Sequence, residues 1–329
     1  MMRAIVCESW RDFDALEVKD IAPPPLRPRG VRIRVAAAGV SFATQLVVAG
    51  KYQRRPPLPF VPGTEVVGTV IESAPDAEAP PPGTRVFAVL DWGGFAEEAV
   101  ADDIHVVPIP DGLPMEPAVA FPISYPTAGS ALLWRARVAP GDWVLVQGAA
   151  GGAGLAGGEI AKARGARGGG RAGAAKHDML RARGADVVLD SAAPFRAAVL
   201  EATGGVACVL DTIGGPAFDE SLRCLADGGM LVVIGFAGGG IPTVAANLLL
   251  LKNIGVAGGD WGAYVGWAPG DNRRHHAPRA RELWSQLVAW WRAGALRPEV
   301  HAAFPLDRFR AAMAELRERR SAGRVILTP

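Results

Sequence analysis

Trp143-Val144-Leu145-Val146-Gln147 runs directly into Gly148-Ala149-Ala150-Gly151-Gly152-Ala153-Gly154, and this stretch decides the fold of the chain. The β-branched apolar run predicts a strand, and the residues after the glycines have the length of a helix. Further apolar runs, separated by helical lengths, lie at 187–189, 208–210 and 230–234. Strands that alternate with helices predict a parallel, doubly wound sheet with right-handed crossovers.

The glycine turn has the spacing of a dinucleotide-binding fingerprint. In that fingerprint the first small residue makes a tight turn, the second admits the pyrophosphate, and the third lets the helix pack on the strand. The start of the helix then presents unpaired N–H groups to the phosphates. The residues that we expect to bind the cofactor here are Ala149, Gly151, Gly152, Ala153 and Gly154.

The charges after the next strand predict which nicotinamide cofactor binds. An NAD enzyme usually has a carboxylate about 20 residues beyond the turn, for the ribose hydroxyls. No carboxylate lies between Glu159 and Asp178, but two cations, Arg171 and Lys176, lie in this interval. Two charge-assisted hydrogen bonds of about 1.5–3 kcal/mol each to a 2′-phosphate would favour NADPH by about two orders of magnitude or more.

Glycines weaken the second strand of this sheet. Gly168, Gly169 and Gly170 follow one another there, and glycine in a strand costs about 0.5–1 kcal/mol relative to alanine. We therefore expect an irregular strand and a reduced affinity for NADPH. The pair Gly157-Gly158 lies in the first helix, where side chains would normally support the packing.

The first part of the chain has a different pattern, with short strands and proline turns up to about residue 122. Val31, Ile33 and Val35 alternate with arginines, which is typical of a half-buried strand. This part predicts a small β-rich barrel. The length of 329 residues also favours two domains over one.

Composition excludes several classes of protein. Half the residues are hydrophobic and 21% are charged, which excludes a disordered chain. The 35 basic and 33 acidic residues are spread evenly, so we expect no nucleic acid and no membrane surface as partners. Three separated cysteines predict no disulfide framework, and the start lacks a secretory apolar run, so we expect a cytoplasmic protein.

Several segments, in the same order, resemble the quinone oxidoreductase (zeta-crystallin-like) branch of the zinc-independent medium-chain dehydrogenases/reductases. Besides the glycine turn they are Gly50-Lys51-Tyr52-Gln53, Leu58 to Glu65, Asp211-Thr212-Ile213-Gly214-Gly215, Ile234-Gly235-Phe236, Ala246 to Asn253 and Gly323 to Pro329. The resemblance covers nearly the whole chain.

The resemblance implies an α/β protein with two domains. Residues 1–124 would form a GroES-like β-barrel catalytic domain, 125–267 a Rossmann domain that binds NADPH, and 268–329 a segment that returns to the catalytic domain. The implied reaction is hydride transfer from NADPH to a quinone in the interdomain cleft. An alkenal or enoyl reductase, acting on an α,β-unsaturated carbonyl or enone, and an NADPH-binding structural protein with little turnover are the alternatives.

The resemblance also assigns the remaining site residues. Tyr52 is the first candidate for a hydroxyl that polarises the substrate carbonyl, with Ser41 second. Thr127, beside Tyr125, would lie near the nicotinamide. The two further cofactor-binding residues that the matching segments imply are Phe236 and Arg324.

Two further expectations concern metal and assembly. Zinc relatives place cysteine and histidine where this chain has Ser41 and Thr64, so no metal is expected. The resemblance implies a homodimer that forms by edge pairing of residues 253–261, where an exposed strand leaves unpaired N–H and C=O groups.

Overall fold

A computed structural model describes residues 1–329, and the chain divides into two compact units. The first unit contains residues 1–123, 262–282 and 298–329, and the second contains 124–261 and 283–297. The chain therefore enters the first unit three times. This division differs from the predicted segments 125–267 and 268–329, because residues 283–297 group with the second unit and residues 262–267 group with the first.

The first unit is mainly antiparallel β structure. Its strands are β1 (Met2–Val6), β2 (Glu17–Ile21), β3 (Gly30–Val40), β4 (Glu65–Ser73), β5 (Arg85–Val89), β6 (Glu98–Asp102), β7 (Val106–Pro108), β14 (Val300–Pro305) and β15 (Arg324–Thr328). Its helices are α1 (Phe42–Val48) and α9 (Phe309–Arg317). The main sheet has the order β14-β15-β3-β4-β5-β7, with β6 also paired to β3, and β1 and β2 form a separate pair.

Aromatic side chains fill the core of this unit. Phe13 contacts Phe95 and Phe309 edge to face, with ring centroids 6.5 and 5.5 Å apart. All three side chains are buried. The mainly antiparallel arrangement around this apolar core confirms the predicted GroES-like barrel.

A buried ion pair joins two strands of the barrel, β4 and β15, across the strand β3 that lies between them. Arg324, the first residue of β15, donates a hydrogen bond from Nη2 to Oε1 of Glu65, the first residue of β4. A Cβ atom at Gly39 of the intervening β3 would overlap both side chains, so only glycine fits there. Burial raises the pKa of Glu65, and the charge of Arg324 opposes this shift.

The second unit contains a parallel sheet of six strands. These strands are β8 (Trp143–Gln147), β9 (Arg167–Ala172), β10 (Val187–Asp190), β11 (Val206–Asp211), β12 (Leu225–Val233) and β13 (Gly255–Gly258). Their order in the sheet is β10-β9-β8-β11-β12-β13. Every pairing is parallel. This is the predicted doubly wound sheet.

Helices surround this sheet and connect its strands. They are α2 (Ser124–Gly129), α3 (Gly152–Ala163), α4 (His177–Ala182), α5 (Arg196–Thr203), α6 (Pro216–Cys224) and α7 (Ala246–Lys252), and α8 (Arg273–Arg292) belongs to both units. A π-helical segment, Ser130–Arg135, follows α2. No helix of the chain combines the length and the apolar character that crossing a bilayer requires.

The second half of α8 packs within the second unit, which explains the boundary at residue 283. Leu283, Trp284 and Leu287 are buried. The indole of Trp284 meets Trp261 edge to face at 5.7 Å, and Leu283 Cδ1 would lie only 3.1 Å from a Cβ atom on Gly129. These apolar contacts hold the segment to the sheet domain.

The glycine-rich strand β9 is regular, so the expectation of an irregular strand is wrong. Gly168, Gly169 and Gly170 pair in register with β8 on one side, and the strand pairs with β10 on the other. Ladder hydrogen bonds use only backbone groups, and a central strand receives them from both neighbours. The absence of side chains therefore leaves the pairing intact.

The missing side chains instead leave a small cavity beside β9. It has a volume of about 30 Å³, and its lining includes Gly158, Gly168, Leu155 and Leu180. A Cβ atom added at Gly158 or Gly168 would meet nothing within 4 Å. Gly157 behaves differently, because its Cβ atom would overlap Leu210 of β11.

We predict that Gly168→Ala stabilises the protein by about 0.5–1 kcal/mol, because it fills part of the cavity and lowers the entropy of the unfolded chain. Chemical denaturation monitored by circular dichroism measures the change. Gly157→Ala is the matched control and should destabilise, since Leu210 occupies the space. Equal effects of the two substitutions would contradict the role of the cavity.

We predict that Arg324→Met destabilises the barrel by about 3–5 kcal/mol, because it leaves the buried Glu65 carboxylate without its counter-charge. The double variant Glu65→Gln with Arg324→Met removes both charges and should cost less. Urea denaturation of the wild type and the variants provides the measurement. A double variant less stable than the single one would show that the lost charge compensation is not the cause.

Candidate functional site

The glycine turn follows β8 directly, in a conformation that glycine favours. Gly148 has a φ of +68°, and a Cβ atom there would lie 2.5 Å from Thr212 Oγ1 and 2.9 Å from Ile213 Cδ1. The N–H of Gly151 donates to the carbonyl of Gly148 at 3.0 Å and closes the turn. Ala149 is buried, and its N–H donates to the carbonyl of Arg171 at 3.0 Å.

The start of α3 is open to an anion. Gly151 is extended at the N-cap, and no side chain caps the helix or adds an acidic group to its first turn. Gly152 and Ala153 follow it as the first helical residues. A Cβ atom on Gly154 would overlap the carbonyl of Gly148, so the helix approaches the turn as closely as the backbone permits. Exposed N–H groups at this end fit a phosphate group.

The turn after β11 supports the glycine turn from the side. Thr212 donates from Oγ1 to the carbonyl of Gln147 at 2.9 Å, and Gln147 donates from Nε2 to Ser221 Oγ at 2.9 Å. The Asp211 carboxylate accepts from the N–H groups of Ile213 and Gly214 at 2.9 and 3.0 Å. These bonds fix the carboxyl ends of β8 and β11 relative to each other.

The structure places Phe236 at the same edge of the sheet. The N–H groups of Ala237 and Gly238 donate to the carbonyls of Thr212 and Ile213 at 3.1 and 2.9 Å. A Cβ atom on Gly214 would lie 2.9 Å from the Phe236 ring, which is 38% exposed. The ring therefore remains partly exposed beside the turn that follows β11.

Arg171 lies at the carboxyl end of β9, but its guanidinium already has partners within the protein. Nη2 donates to the carbonyl of Ser191 at 2.6 Å, and Nη1 donates to Gln147 Oε1 at 3.2 Å. The guanidinium carbon lies 4.5 Å from the centre of the Phe195 ring. Burial lowers the pKa of Arg171. The side chain thus ties β9 to β8 and β10 as well as carrying charge.

Lys176 follows β9 in a short 3-10 turn, Ala174–Lys176, directly before α4. Its side chain is half-buried, and this burial lowers the pKa of the amine. His177 Nε2 lies 3.1 Å from the carbonyl of Ala172, which holds the start of α4 against the end of β9. The two predicted cations therefore lie at the carboxyl end of the second strand and just beyond it.

Tyr125 has a structural role in α2. Its hydroxyl donates to Glu159 Oε2 at 2.7 Å, and only 2% of the residue is exposed. Arg183 and the N–H of Arg297 also donate to this carboxylate, at 2.6 and 3.0 Å. Burial and the Glu159 charge raise the pKa of Tyr125. Thr127, one half-turn later, is half-buried, and its carbonyl accepts from Ser130 Oγ at 3.1 Å.

The two predicted catalytic residues lie on either side of α1 in the first unit. Ser41 precedes the helix, and its Oγ lies 3.1 Å from Thr44 Oγ1. Tyr52 is half-buried in the loop after the helix. Arg324 lies in the same unit, where the Glu65 ion pair engages its guanidinium. The predicted cofactor residues other than Arg324 lie in the second unit.

The side chains that bind metals in proteins are dispersed in this chain. No group of three or more His, Cys, Asp and Glu side chains is placed to hold a metal ion. Cys7, Cys208 and Cys224 are buried free thiols, and burial raises the pKa of Cys224 to about 11.

Sequence reasoning misjudged one residue of the helix behind the glycine turn and missed another. The absence of a side chain on Gly157 leaves room for the side chain of Leu210. Two adjacent glycines inside a helix were the sequence pattern that could have indicated this close contact. Glu159 is the one carboxylate of α3, and its place among alanine, glycine and aliphatic residues, with Lys162 the only other charge, was the available signal of a buried network. Its partners could not have been named, because Arg297 is 138 residues away.

Comparison with known proteins agrees with this architecture. Two families match, the alcohol dehydrogenase GroES-like domain over residues 27–111 and the zinc-binding dehydrogenase domain over residues 183–327. Quinone oxidoreductase-like protein 2 of Mus musculus is 36% identical over 335 residues, covering 99% of this chain and 92% of that protein.

Solved structures give the same result. The quinone oxidoreductase of Thermus thermophilus, also solved with NADPH, has a TM-score of 0.82 and 34% identity over 100% of both chains. A mycobacterial protein solved with NADPH has a TM-score of 0.91 and 29% identity over 100% of both chains. By identity over its full length, the chain belongs to the quinone oxidoreductase branch of the medium-chain dehydrogenase/reductase family.

Proposed function

We propose that the protein is an NADPH-dependent oxidoreductase that transfers hydride to a quinone without a metal ion. The observation that carries this proposal is the open start of α3 behind the glycine turn. Arg171 at the end of β9 and Lys176 just after it add positive charge, and no carboxylate lies between Glu159 and Asp178. The NADPH complex of the Thermus thermophilus relative supports the choice of cofactor. The name of the Mus musculus relative supports the choice of acceptor.

In the proposed mechanism, the chain holds and orients the reactants. The N–H groups from Gly151 to Gly154 would hold the pyrophosphate of NADPH, and Lys176 would pair with its 2′-phosphate. Phe236 offers an apolar wall. When bound, the cofactor supplies a hydride, and Tyr52 donates a hydrogen bond to the quinone oxygen that gains negative charge. Ser41 is the second candidate donor.

The test is an NADPH-oxidation assay with purified protein, in which quinones and alkenals are compared side by side and a chelator is added in a parallel series. We expect turnover of the quinones and no loss of activity with the chelator. Faster turnover of the alkenals would favour the reductase of α,β-unsaturated carbonyls. Tight NADPH binding without oxidation by any acceptor would favour the structural protein.

We predict that Lys176→Gln raises the dissociation constant of NADPH by about tenfold or more, because one charge-assisted hydrogen bond is lost. The dissociation constant of NADH should remain nearly unchanged. Arg171→Gln with Lys176→Gln should raise it further. Titration of cofactor fluorescence measures both constants. Arg167→Gln is the control, because its guanidinium lies 5.3 Å from the Trp143 ring at the opposite end of β9. An equal loss for both cofactors would contradict the assignment.

We also propose a homodimer that forms through β13. This strand is at the edge of the sheet and pairs only with β12. The N–H of Gly259 donates to the carbonyl of Val233 in β12. Because the backbone groups of successive residues in a strand point to opposite sides, the N–H of Val256, three residues earlier, faces the open edge. Leu250 and Leu251 of the adjacent α7 are 77% and 78% exposed, an apolar surface that a second copy would cover.

We predict that Val256→Pro shifts the protein toward the monomer, because it removes an edge donor without removing a bond to β12. Light scattering at micromolar concentration measures the mass. NADPH affinity should remain near that of the wild type, which shows that the sheet is intact. A wild type that is already monomeric, or a variant that stays dimeric, would rule out this interface.

A further inference from the structure

Arg171 is held in one orientation at the carboxyl end of β9. Its Nη2 donates to the carbonyl of Ser191, just after β10, at 2.6 Å. Its Nη1 donates at 3.2 Å to Oε1 of Gln147, the last residue of β8. The Nε atom is buried and has no hydrogen-bond partner. The side chain is therefore bonded at the ends of both neighbouring strands, and these bonds fix the plane of its guanidinium.

The ring of Phe195 covers one face of this guanidinium. The guanidinium carbon lies over the ring, 4.5 Å from its centre, and Phe195 is buried. Arg171 itself is only half-buried. Because both Nη atoms are bonded, Nε is enclosed and one face is covered, the face opposite Phe195 is the part of the group that a ligand can reach.

The groups that contact this guanidinium are all neutral: a carbonyl, an amide and an aromatic ring. Asp190 and Glu220 attract its charge from nearby, but these carboxylates accept from backbone N–H groups and do not pair with it. A cation in this position attracts the negatively polarised face of an aromatic ring. The plane of a guanidinium also stacks on such a ring, which the compact ammonium group of a lysine does not.

The open face of Arg171 adjoins the glycine turn. The carbonyl of Arg171 accepts from the N–H of Ala149 at 3.0 Å, and Gln147 leads directly into Gly148. Ligands of doubly wound sheets bind across the carboxyl ends of the strands. Lys176, the proposed partner of the 2′-phosphate, also follows β9. The adenosine half of NADPH is therefore the part that we expect beside Arg171.

The remaining donors of Arg171 do not suit a phosphate. A guanidinium binds a phosphate edge-on, through two parallel N–H groups. One edge of Arg171 contains the buried Nε, and Nη2 also lies 3.5 Å from the carbonyl of Ala193. A phosphate would therefore displace bonds within the protein, whereas a purine ring that contacts the open face leaves all of them in place.

We propose that the adenine ring of NADPH stacks on the open face of Arg171, so that the guanidinium lies between the adenine and Phe195. This inference rests on the proposed use of NADPH, but it gives Arg171 a role other than recognition of the 2′-phosphate. The same adenine is present in NADH. Arg171 therefore contributes equally to the binding of both cofactors, and Lys176 distinguishes between them.

The test compares Arg171→Lys with Arg171→Phe in fluorescence titrations of NADPH and NADH. Arg171→Lys keeps the charge but loses the plane, whereas Arg171→Phe keeps a plane but loses the charge and the donors. Arg171→Lys should raise both dissociation constants by about fivefold, the size of one cation–π contact. Arg171→Phe should stay within about twofold of the wild type, because a base stacks on an aromatic ring as well.

Arg196→Lys is the matched control, because Arg196 is an exposed arginine at the start of α5, next to Phe195. It should leave both constants unchanged. Circular dichroism and urea denaturation show whether each variant is folded. The inference is overturned if Arg171→Lys binds as the wild type does, or if it weakens NADPH alone, which would assign the charge to the 2′-phosphate. Equal weakening by Arg171→Lys and Arg171→Phe would also overturn it, because Arg171 would then only connect the strands.

Competition against NADPH by AMP and by ribose 5-phosphate is a second measurement, which does not need Arg171→Phe to fold. Of these two probes only AMP carries the base. Arg171→Lys should weaken AMP by about fivefold and leave ribose 5-phosphate unchanged, and an equal effect on both would contradict stacking. A wild type that binds neither NADPH nor NADH would overturn the proposed function together with this inference, whereas each of the other failures overturns the inference alone.

Discussion

The close approach of α3 to the end of β8 is the constraint on which the second unit depends. The carbonyl of Gly148 leaves no room for a side chain on Gly154, and Leu210 of β11 leaves none on Gly157. The helix consequently lies directly on the sheet, with its uncapped start beside the turn. This placement leaves the start of the helix open beside the turn and also brings Glu159 within reach of Tyr125. The close approach of α3 to β8 therefore determines both the open start of this helix and the packing around Glu159.

Buried carboxylates hold the segments that return from elsewhere in the sequence. Asp91 binds Arg273, 182 residues later, and Glu65 binds Arg324, 259 residues later. In the second unit, Glu159 holds Arg297 through its backbone N–H. Such pairs are costly to break, because the remaining charge would stay buried without a partner. In each unit, therefore, a hydrogen bond to a carboxylate connects distant parts of the chain, in addition to the contacts of the apolar core.

Local patterns in the sequence were sufficient to predict the parallel sheet, the glycine turn and the barrel, because each depends on neighbouring residues. The shape of β9 was mispredicted, since its regularity comes from β8 and β10 rather than from its own glycines. The partners of Arg171 could not be predicted either: the Ser191 carbonyl and the Phe195 ring approach it only after β10 has been placed. The ion pairs of Asp91 combine residues from four separate segments, which no spacing rule brings together.

The cavity beside Gly168 has a consequence for the response of the protein to hydrostatic pressure. Pressure favours the state of smaller volume, and the volume lost on unfolding scales with the internal voids that unfolding removes. This void lies between α3, β9 and α4, whereas the opposite face of α3 is closed by Leu210. We therefore expect compression to act on the loosely packed contact between α3 and β9 before it acts on the closely packed contact between α3 and β11.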